Sequence, residues 1–179
     1  DHAPKQVFFG LRRALTLAPR LPRCILARMT VRILLVDDHT VLRQGVKVLL
    51  NLDPTLEVVA EANNGVDAIR LAHELKPDVV LMDLMMPVMD GLSAITVIRR
   101  ELPETEIVAL TSLLEDNIVT EVVRAGAIGY VLKDASSEEL VKAVKAAADG
   151  QVHLSPQAAA RLMRDVRTPD NPQALTQRE

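Results

Sequence analysis

Three aspartates, a threonine and a lysine stand where apolar runs of this chain stop. Asp37 and Asp38 follow Val31-Arg32-Ile33-Leu34-Leu35-Val36, and Asp83 follows Val79-Val80-Leu81-Met82. Thr111 closes the run 106–110, and Lys133 the run 128–132. An acid at the end of a buried run is expensive to desolvate unless its charge is compensated. Taken alone, Asp83 reads equally well as a cap on the Met85-Met86-Pro87 turn. Taken together, the set describes a chemistry. Carboxylates ~4 Å apart repel by about 4 kcal/mol at an effective dielectric constant of about 20. Either their pKa values rise or a cation joins them. A hard divalent ion such as Mg²⁺, with Mn²⁺ as its alternative, suits oxygen ligands and leaves positions open for phosphate oxygens. Lys133 supplies a point charge for a phosphoryl oxygen, and Thr111 a hydroxyl donor. An aspartate can itself accept a phosphoryl group as an acyl phosphate. These parts fit phosphoryl transfer onto Asp83, with positioning and charge neutralisation providing most of the catalysis.

The elements that must hold these residues follow from periodicity. Continuous apolar runs predict buried strands over 31–36, 56–62, 78–82, 106–110 and 128–132. Helices are predicted over 40–51, 66–75, 92–102, 116–125 and 136–149. Leu42, Val46, Leu49 and Leu50 make the buried side of the first helix, with Val41 and Val48 off that stripe. Leu140, Val144 and Ala147 make that of the fifth, and Ser136-Ser137-Glu138-Glu139 opens it as a capping box. Strand and helix thus alternate five times over about 120 residues, which implies a parallel sheet with helices on both faces. Right-handed crossovers place a ligand site outside the carboxyl ends of the strands, where the polar residues named above fall.

Composition narrows the function classes. Apolar content of 49% with 25% charged residues is that of a globular chain. The stretch 31–150 carries 11 basic against 20 acidic residues. A body this acidic is a poor nucleic-acid binder by itself. Cys24 is the single cysteine, which excludes an internal disulfide and fits a reducing, cytoplasmic compartment. No apolar run approaches the ~18 residues of a spanning helix, so no membrane role is expected. Trp is absent, Phe8 and Phe9 are the only Phe residues, and Tyr130 is the only Tyr, so the body's core must be aliphatic.

Residues 31–150 resemble a bacterial two-component response-regulator receiver domain. The resemblance rests on Leu35-Val36-Asp37-Asp38-His39, on Leu81-Met82-Asp83-Leu84-Met85-Met86-Pro87 with Asp90-Gly91, on Leu110-Thr111-Ser112, and on Gly129-Tyr130-Val131-Leu132-Lys133-Asp134. It implies an α/β, doubly wound, five-stranded parallel sheet of flavodoxin-like (βα)5 form, strand order 2-1-3-4-5. It implies that Asp83 is the phosphoacceptor. Asp38, Asp83 and the backbone carbonyl of Met85 would ligate Mg²⁺, with Asp37 acting through water. Lys133 would pair with the phosphoryl group, and Thr111 and Tyr130 would be the switch pair. Such a protein is a phosphoacceptor rather than an enzyme, and its donor would be a sensor histidine kinase. His39 reads as a helix-start residue rather than a ligand. Met82, Met85, Met86 and Met89 read as packing residues, not soft-metal ligands. Many receivers have a cis proline after the lysine; Asp134 stands there instead, which leaves that bond's isomer open.

The remaining segments divide the chain. Residues 1–28 carry six basic residues and one acid, with Pro4, Pro19 and Pro22 breaking any helix, and read as an extension outside the core. The receiver spans 29–152. A linker with a short helix spans 153–174, with Ser155 as cap and Pro156 at the first helical position. Ala174-Leu175-Thr176-Gln177-Arg178-Glu179 resembles the opening of the LuxR-type helix-turn-helix of the NarL/FixJ family, so 175–179 are expected to begin a truncated output domain. DNA would then be bound only through that missing domain, and the full-length protein would regulate transcription. Two rivals stand beside this reading. A stand-alone receiver would act through protein contacts. An Asp-nucleophile phosphohydrolase would carry its second Asp two residues after the first, whereas Asp37 and Asp38 are adjacent. Two finer expectations follow. Met85 and Leu113, two residues beyond Asp83 and Thr111, are apolar and cannot orient an attacking water, so the phosphoryl state should hydrolyse slowly. Val41 and Val48 form a candidate patch for a phosphorylation-dependent homodimer.

Overall fold

A computed structural model describes residues 30–112 and 118–167. Strands and helices alternate as β1 (Val31–Val36), α1 (Thr40–Asn51), β2 (Leu56–Ala62), α2 (Gly65–Leu75), β3 (Val79–Asp83) and α3 (Gly91–Glu101). They continue as β4 (Glu106–Thr111), α4 (Ile118–Ala125), β5 (Gly129–Leu132), α5 (Ser137–Ala148), β6 (His153–Leu154) and α6 (Pro156–Arg167). All strand pairs are parallel, in the order β2-β1-β3-β4-β5-β6. The expected order 2-1-3-4-5 is therefore present, and a sixth strand extends it.

The pleat divides each strand between two cores. Leu34, Val36, Val80, Met82, Ile107, Ala109 and Tyr130 point to one face, where they meet α2, α3, α4 and α6. Ile33, Leu35, Val79, Leu81, Val108, Leu110 and Val131 point to the other, against α1 and α5. Both faces are covered, which is why the central strands read as unbroken apolar runs. On α1, Val46 and Leu50 are buried, whereas Val41 and Val48 are exposed, as their offset from the stripe predicts.

Side-chain caps start the helices that flank the strand ends. Asn64 Oδ1 accepts from Asp67 N at 2.9 Å. Asp90 Oδ1 accepts from Ser93 N at 2.7 Å, and Ser136 Oγ from Glu139 N at 3.2 Å. Ser155 Oγ accepts from Ala158 N at 3.2 Å, so the expected cap of the last helix is in place.

Residues 153–167, assigned in the sequence to a linker with a short helix, lie against the sheet. His153 pairs with Gly129 and Leu154 with Tyr130, which extends the sheet beyond the five strands expected. Ala158 on α6 is fully buried in the core that holds Tyr130, with Leu154 and Leu162 packed beside it. A two-residue strand is too short to register as a periodic run. The Lys133–Asp134 peptide is trans, which settles the isomer left open in the sequence. The extension 1–28, Leu113, the segment 168–174 and the helix-turn-helix stub 175–179 lie outside the described residues.

Candidate functional site

β1, β3 and β4 end side by side, and three of the four marked residues on them are almost wholly buried: Asp37, Asp83 and Thr111. Lys133 arrives from the end of β5, where its N–H donates to the Thr111 carbonyl at 2.8 Å. Its ammonium turns inward. Nζ donates to Asp83 Oδ2 at 2.7 Å and lies 2.8 Å from Asp37 Oδ2. One lysine thus bridges the acids of β1 and β3.

Each carboxylate has a second anchor. Asp83 Oδ1 accepts from Met85 N at 3.2 Å, which fixes the turn after β3 on the acid itself. Asp37 Oδ1 accepts from His39 N at 2.7 Å. Asp38 is partly exposed, and its Oδ1 faces His39 Nδ1 at 2.9 Å. Gly91, at the start of α3, makes the close approach under Asp83 possible. A Cβ there would fall 2.0 Å from the Asp83 carbonyl oxygen and 2.8 Å from Leu84 Cα. Only a residue without a side chain fits that contact.

The charges are strained in a consistent direction. Burial pushes the Asp83 carboxyl up from its ordinary value, the Asp37 charge adds to this, and Lys133 with the Met85 N–H offsets part of it. Burial alone would pull the Lys133 ammonium down, but its contacts with Asp37 and Asp83 outweigh that and its pKa is raised. Lys133 stays charged, yet one cation cannot balance Asp37, Asp38 and Asp83. Asp37 Oδ2 is held by the Lys133 ammonium, whereas Asp38 Oδ1 is buried beside His39 Nδ1 without a completed hydrogen bond. Asp37, Asp38, His39 and Asp83 each offer a ligand atom, and these atoms lie within 4.8 Å of one another. A buried carboxylate oxygen without a completed hydrogen bond, in an oxygen-rich cluster with more acids than cations, fits a hard divalent cation.

The structure brings Asp37, Asp38, Asp83 and Lys133 together, with Thr111 at the adjacent strand end and the Met85 backbone bound to Asp83. Tyr130 is fully buried on β5, paired with Ala109, two residues before Thr111 on the same strand face. Its ring is therefore inside the protein. Val41 and Val48 stand apart on α1, and Val48 borders a groove of about 580 Å³ between α1 and α5 that Leu49, Leu52, Pro54 and Val141 also line. Two residues at the site were not singled out for it in the sequence. His39 starts α1 as expected, but its imidazole also lies on Asp38. Arg43, one turn into α1, donates from Nη1 to the Asp37 carbonyl at 2.6 Å. The adjacency of His39 to the acid pair was visible in the sequence. No spacing signal marks a guanidinium that bonds a main-chain carbonyl.

Comparison with known proteins gives the same assignment. The family described as response regulator receiver domain matches residues 33–145. The chain is 42% identical over 137 residues to the transcriptional regulatory protein LiaR of Bacillus subtilis, covering 76% of this chain and 65% of LiaR. It superposes with a TM-score of 0.73 on a LuxR-family two-component response regulator from Aurantimonas sp. SI85-9A1, at 36% identity, covering 76% of this chain and 98% of that one. The isolated REC domain of RcsB from Salmonella enterica serovar Typhimurium, solved in the presence of the phosphomimetic BeF3⁻, superposes with a TM-score of 0.68 at 26% identity, covering 74% of this chain and 99% of that one. The chain spans just under two thirds of the length of LiaR. With its site at the carboxyl ends of β1, β3, β4 and β5, the chain belongs to the response regulator receiver domain family.

Proposed function

We propose that this chain is a phosphoacceptor switch in which Asp83 takes a phosphoryl group from a sensor histidine kinase. The observation that carries the reading is the single ammonium of Lys133 shared by Asp83 and Asp37, beside an Asp38 oxygen that is buried against the His39 ring without a completed hydrogen bond. In the transfer, an Asp83 carboxylate oxygen bonds to phosphorus while the bond from phosphorus to the donor's imidazole nitrogen breaks. The imidazole leaves with the electron pair, and Asp83 becomes an acyl phosphate.

Asp38, Asp83 and the Met85 carbonyl would hold Mg²⁺, or Mn²⁺, with Asp37 acting through water. The bound ion supplies positive charge against the acids and the phosphoryl oxygens. The chain's own residues do the rest. Lys133 is positioned to exchange its hydrogen bond on Asp83 for one on a phosphoryl oxygen. Thr111 offers its hydroxyl from the neighbouring strand end. Movement of Thr111 toward that oxygen would open space on the face it shares with Tyr130, and the two form the switch pair.

The wider role follows from the relatives. LiaR is named a transcriptional regulatory protein, and this chain spans only part of such a length. We read 29–152 as the receiver, 153–174 as the connection and 175–179 as the start of a helix-turn-helix output domain. Through it, the full-length protein would bind DNA. Phosphorylation would favour a homodimer, for which exposed Val41 and Val48 are the candidate patch. Among the described residues no helix is long and apolar enough to cross a membrane. A cytoplasmic switch between a kinase and DNA fits these features.

Intact-mass spectrometry after addition of a small phosphodonor and Mg²⁺ tests the reading. One added phosphoryl group, lost in Asp83→Ala and lost without metal, is the expected result. No adduct on a folded protein at saturating Mg²⁺ would overturn it.

A further inference from the structure

We infer that Arg43 is a positioning residue for the metal-binding acid pair, and that it acts through the main-chain carbonyl of Asp37. Asp37 lies one residue past the end of β1, where the sheet ladder stops. Its N–H is still held by the Ala62 carbonyl at 3.1 Å. Its carbonyl accepts instead from Arg43 Nη1 at 2.6 Å, a short charge-assisted bond. The same guanidinium donates from Nε to Glu61 Oε2 at 3.2 Å, and its side chain is only 14% exposed. Glu61 sits on β2, beside β1, and pairs in register with Leu35. One fork therefore ties α1, β2 and the peptide that joins the two acids, Asp37 and Asp38.

The far side of the fork is also anchored. Glu61 accepts from Lys47 Nζ at 2.5 Å and from Gln44 Nε2 at 2.9 Å. Lys47 first, and Arg43 after it, hold the Glu61 carboxyl below the ordinary carboxylate range despite its partial burial. It remains an anion across neutral pH, so Arg43 always has its counterpart.

The choice of atom carries the argument. A cation bound directly to Asp37 or Asp38 would occupy oxygens that a metal needs. Arg43 takes a peptide carbonyl, fixes the backbone that carries both acids, and adds positive charge nearby without occupying a side-chain oxygen of Asp37 or Asp38. Groups that orient metal ligands from behind in this way typically govern affinity by about 10- to 100-fold. A lysine at this position keeps the charge but cannot reach the carbonyl and Glu61 as one planar fork.

This inference rests on the reading of the acids as a divalent-cation site, and calorimetric titration of the whole chain with MgCl₂ separates the two. If the unsubstituted chain takes up no Mg²⁺, the metal reading itself fails. If it binds, Arg43→Lys and Arg43→Met are each expected to raise the Mg²⁺ dissociation constant by about tenfold. Phosphorylation of Asp83 at saturating Mg²⁺ should stay within about twofold of the unsubstituted chain, an affinity loss without a rate loss. Glu61→Gln should weaken binding less, and combined with Arg43→Lys it should add little, because both act on one fork. Unchanged Mg²⁺ affinity in folded Arg43 variants would overturn the inference, even if their thermal stability fell. Full rescue by Arg43→Lys would also overturn it, by showing that charge alone suffices. If the Arg43 variants do not fold, unchanged affinity in Glu61→Ala would be decisive against it.

Discussion

Lys133 Nζ lies 2.7 Å from Asp83 Oδ2, and the pair is largely shielded from water, with the aspartate 1% exposed and the lysine side chain 11%. Because Asp37 shares the same ammonium, removal of Lys133 would strand two buried carboxylates. Lys133→Met should therefore destabilise the fold by about 3 kcal/mol or more in metal-free buffer. Urea unfolding would measure the loss, and added Mg²⁺ should restore part of it by binding only the folded chain. An unchanged midpoint would mean that the acids do not depend on Lys133.

Asp83 gives a pH dependence with a defined sign. Its folded pKa is raised above 3.8, chiefly by burial, so the folded state disfavours the ionised form. Its contribution to stability is full below 3.8 and is lost as pH rises through the elevated folded value. Asp83→Asn, which cannot ionise, should raise the melting temperature at neutral pH without metal. The gain should shrink on acidification toward 3.8. Melting curves of both proteins across that range check it, and a gain that grows with acid would refute the sign.

Gly91 and Gly45 should respond to alanine in opposite directions. At Gly91 the new methyl would meet the Asp83 carbonyl oxygen at 2.0 Å, against backbone that cannot move without shifting the acid. Gly91→Ala should cost about 3 kcal/mol and impair phosphorylation. A Cβ at Gly45, inside α1, meets nothing within 4 Å. Gly45→Ala should stabilise the chain by about 0.5–1 kcal/mol, since glycine is a poor helix residue. Denaturant midpoints of the two variants make the comparison.

Val41 is 88% exposed on α1. If it belongs to a dimer patch, Val41→Glu should abolish association that depends on phosphorylation while leaving the monomer's stability unchanged. Sedimentation velocity of the phosphorylated variant would show this, and undiminished dimer would reject the patch.

Met85, whose side chain is 62% exposed, and Leu113, which lies outside the described residues, follow Asp83 and Thr111 by two positions. Neither can hydrogen-bond a water. Met85→Asn with Leu113→Glu should speed loss of the phosphoryl group, followed by intact mass over time. An unchanged half-life would reject the expectation that this apolar pair slows hydrolysis.

The strand ends were legible in the sequence because burial on both faces makes β1, β3 and β4 continuous apolar runs, and a polar residue at the end of such a run stands out. Asp37, Asp83, Thr111 and Lys133 were found in this way, and the structure places them at neighbouring ends. Lys133 was read as a partner for a phosphoryl group; that it already bridges two acids depends on distances no spacing encodes. Arg43 escaped for a related reason. Its bond to the Asp37 carbonyl involves a backbone atom that every residue possesses, so side-chain identity gives no cue. Helix starts differed by one residue at Gly65 and Gly91, where glycine enters the helix behind a polar cap. β6 was missed because two residues show no alternation.

That small strand bears on where the chain can be cut. Without residues 153–167, the outer side of β5 would present unpaired peptide groups at Gly129 and Tyr130, and the core that holds Tyr130 would lose the buried Ala158. An uncovered sheet edge is a template for another chain's strand. A fragment ending at Gly150 would keep the acids, the lysine and all five major strands, yet it would tend to join its neighbours edge to edge.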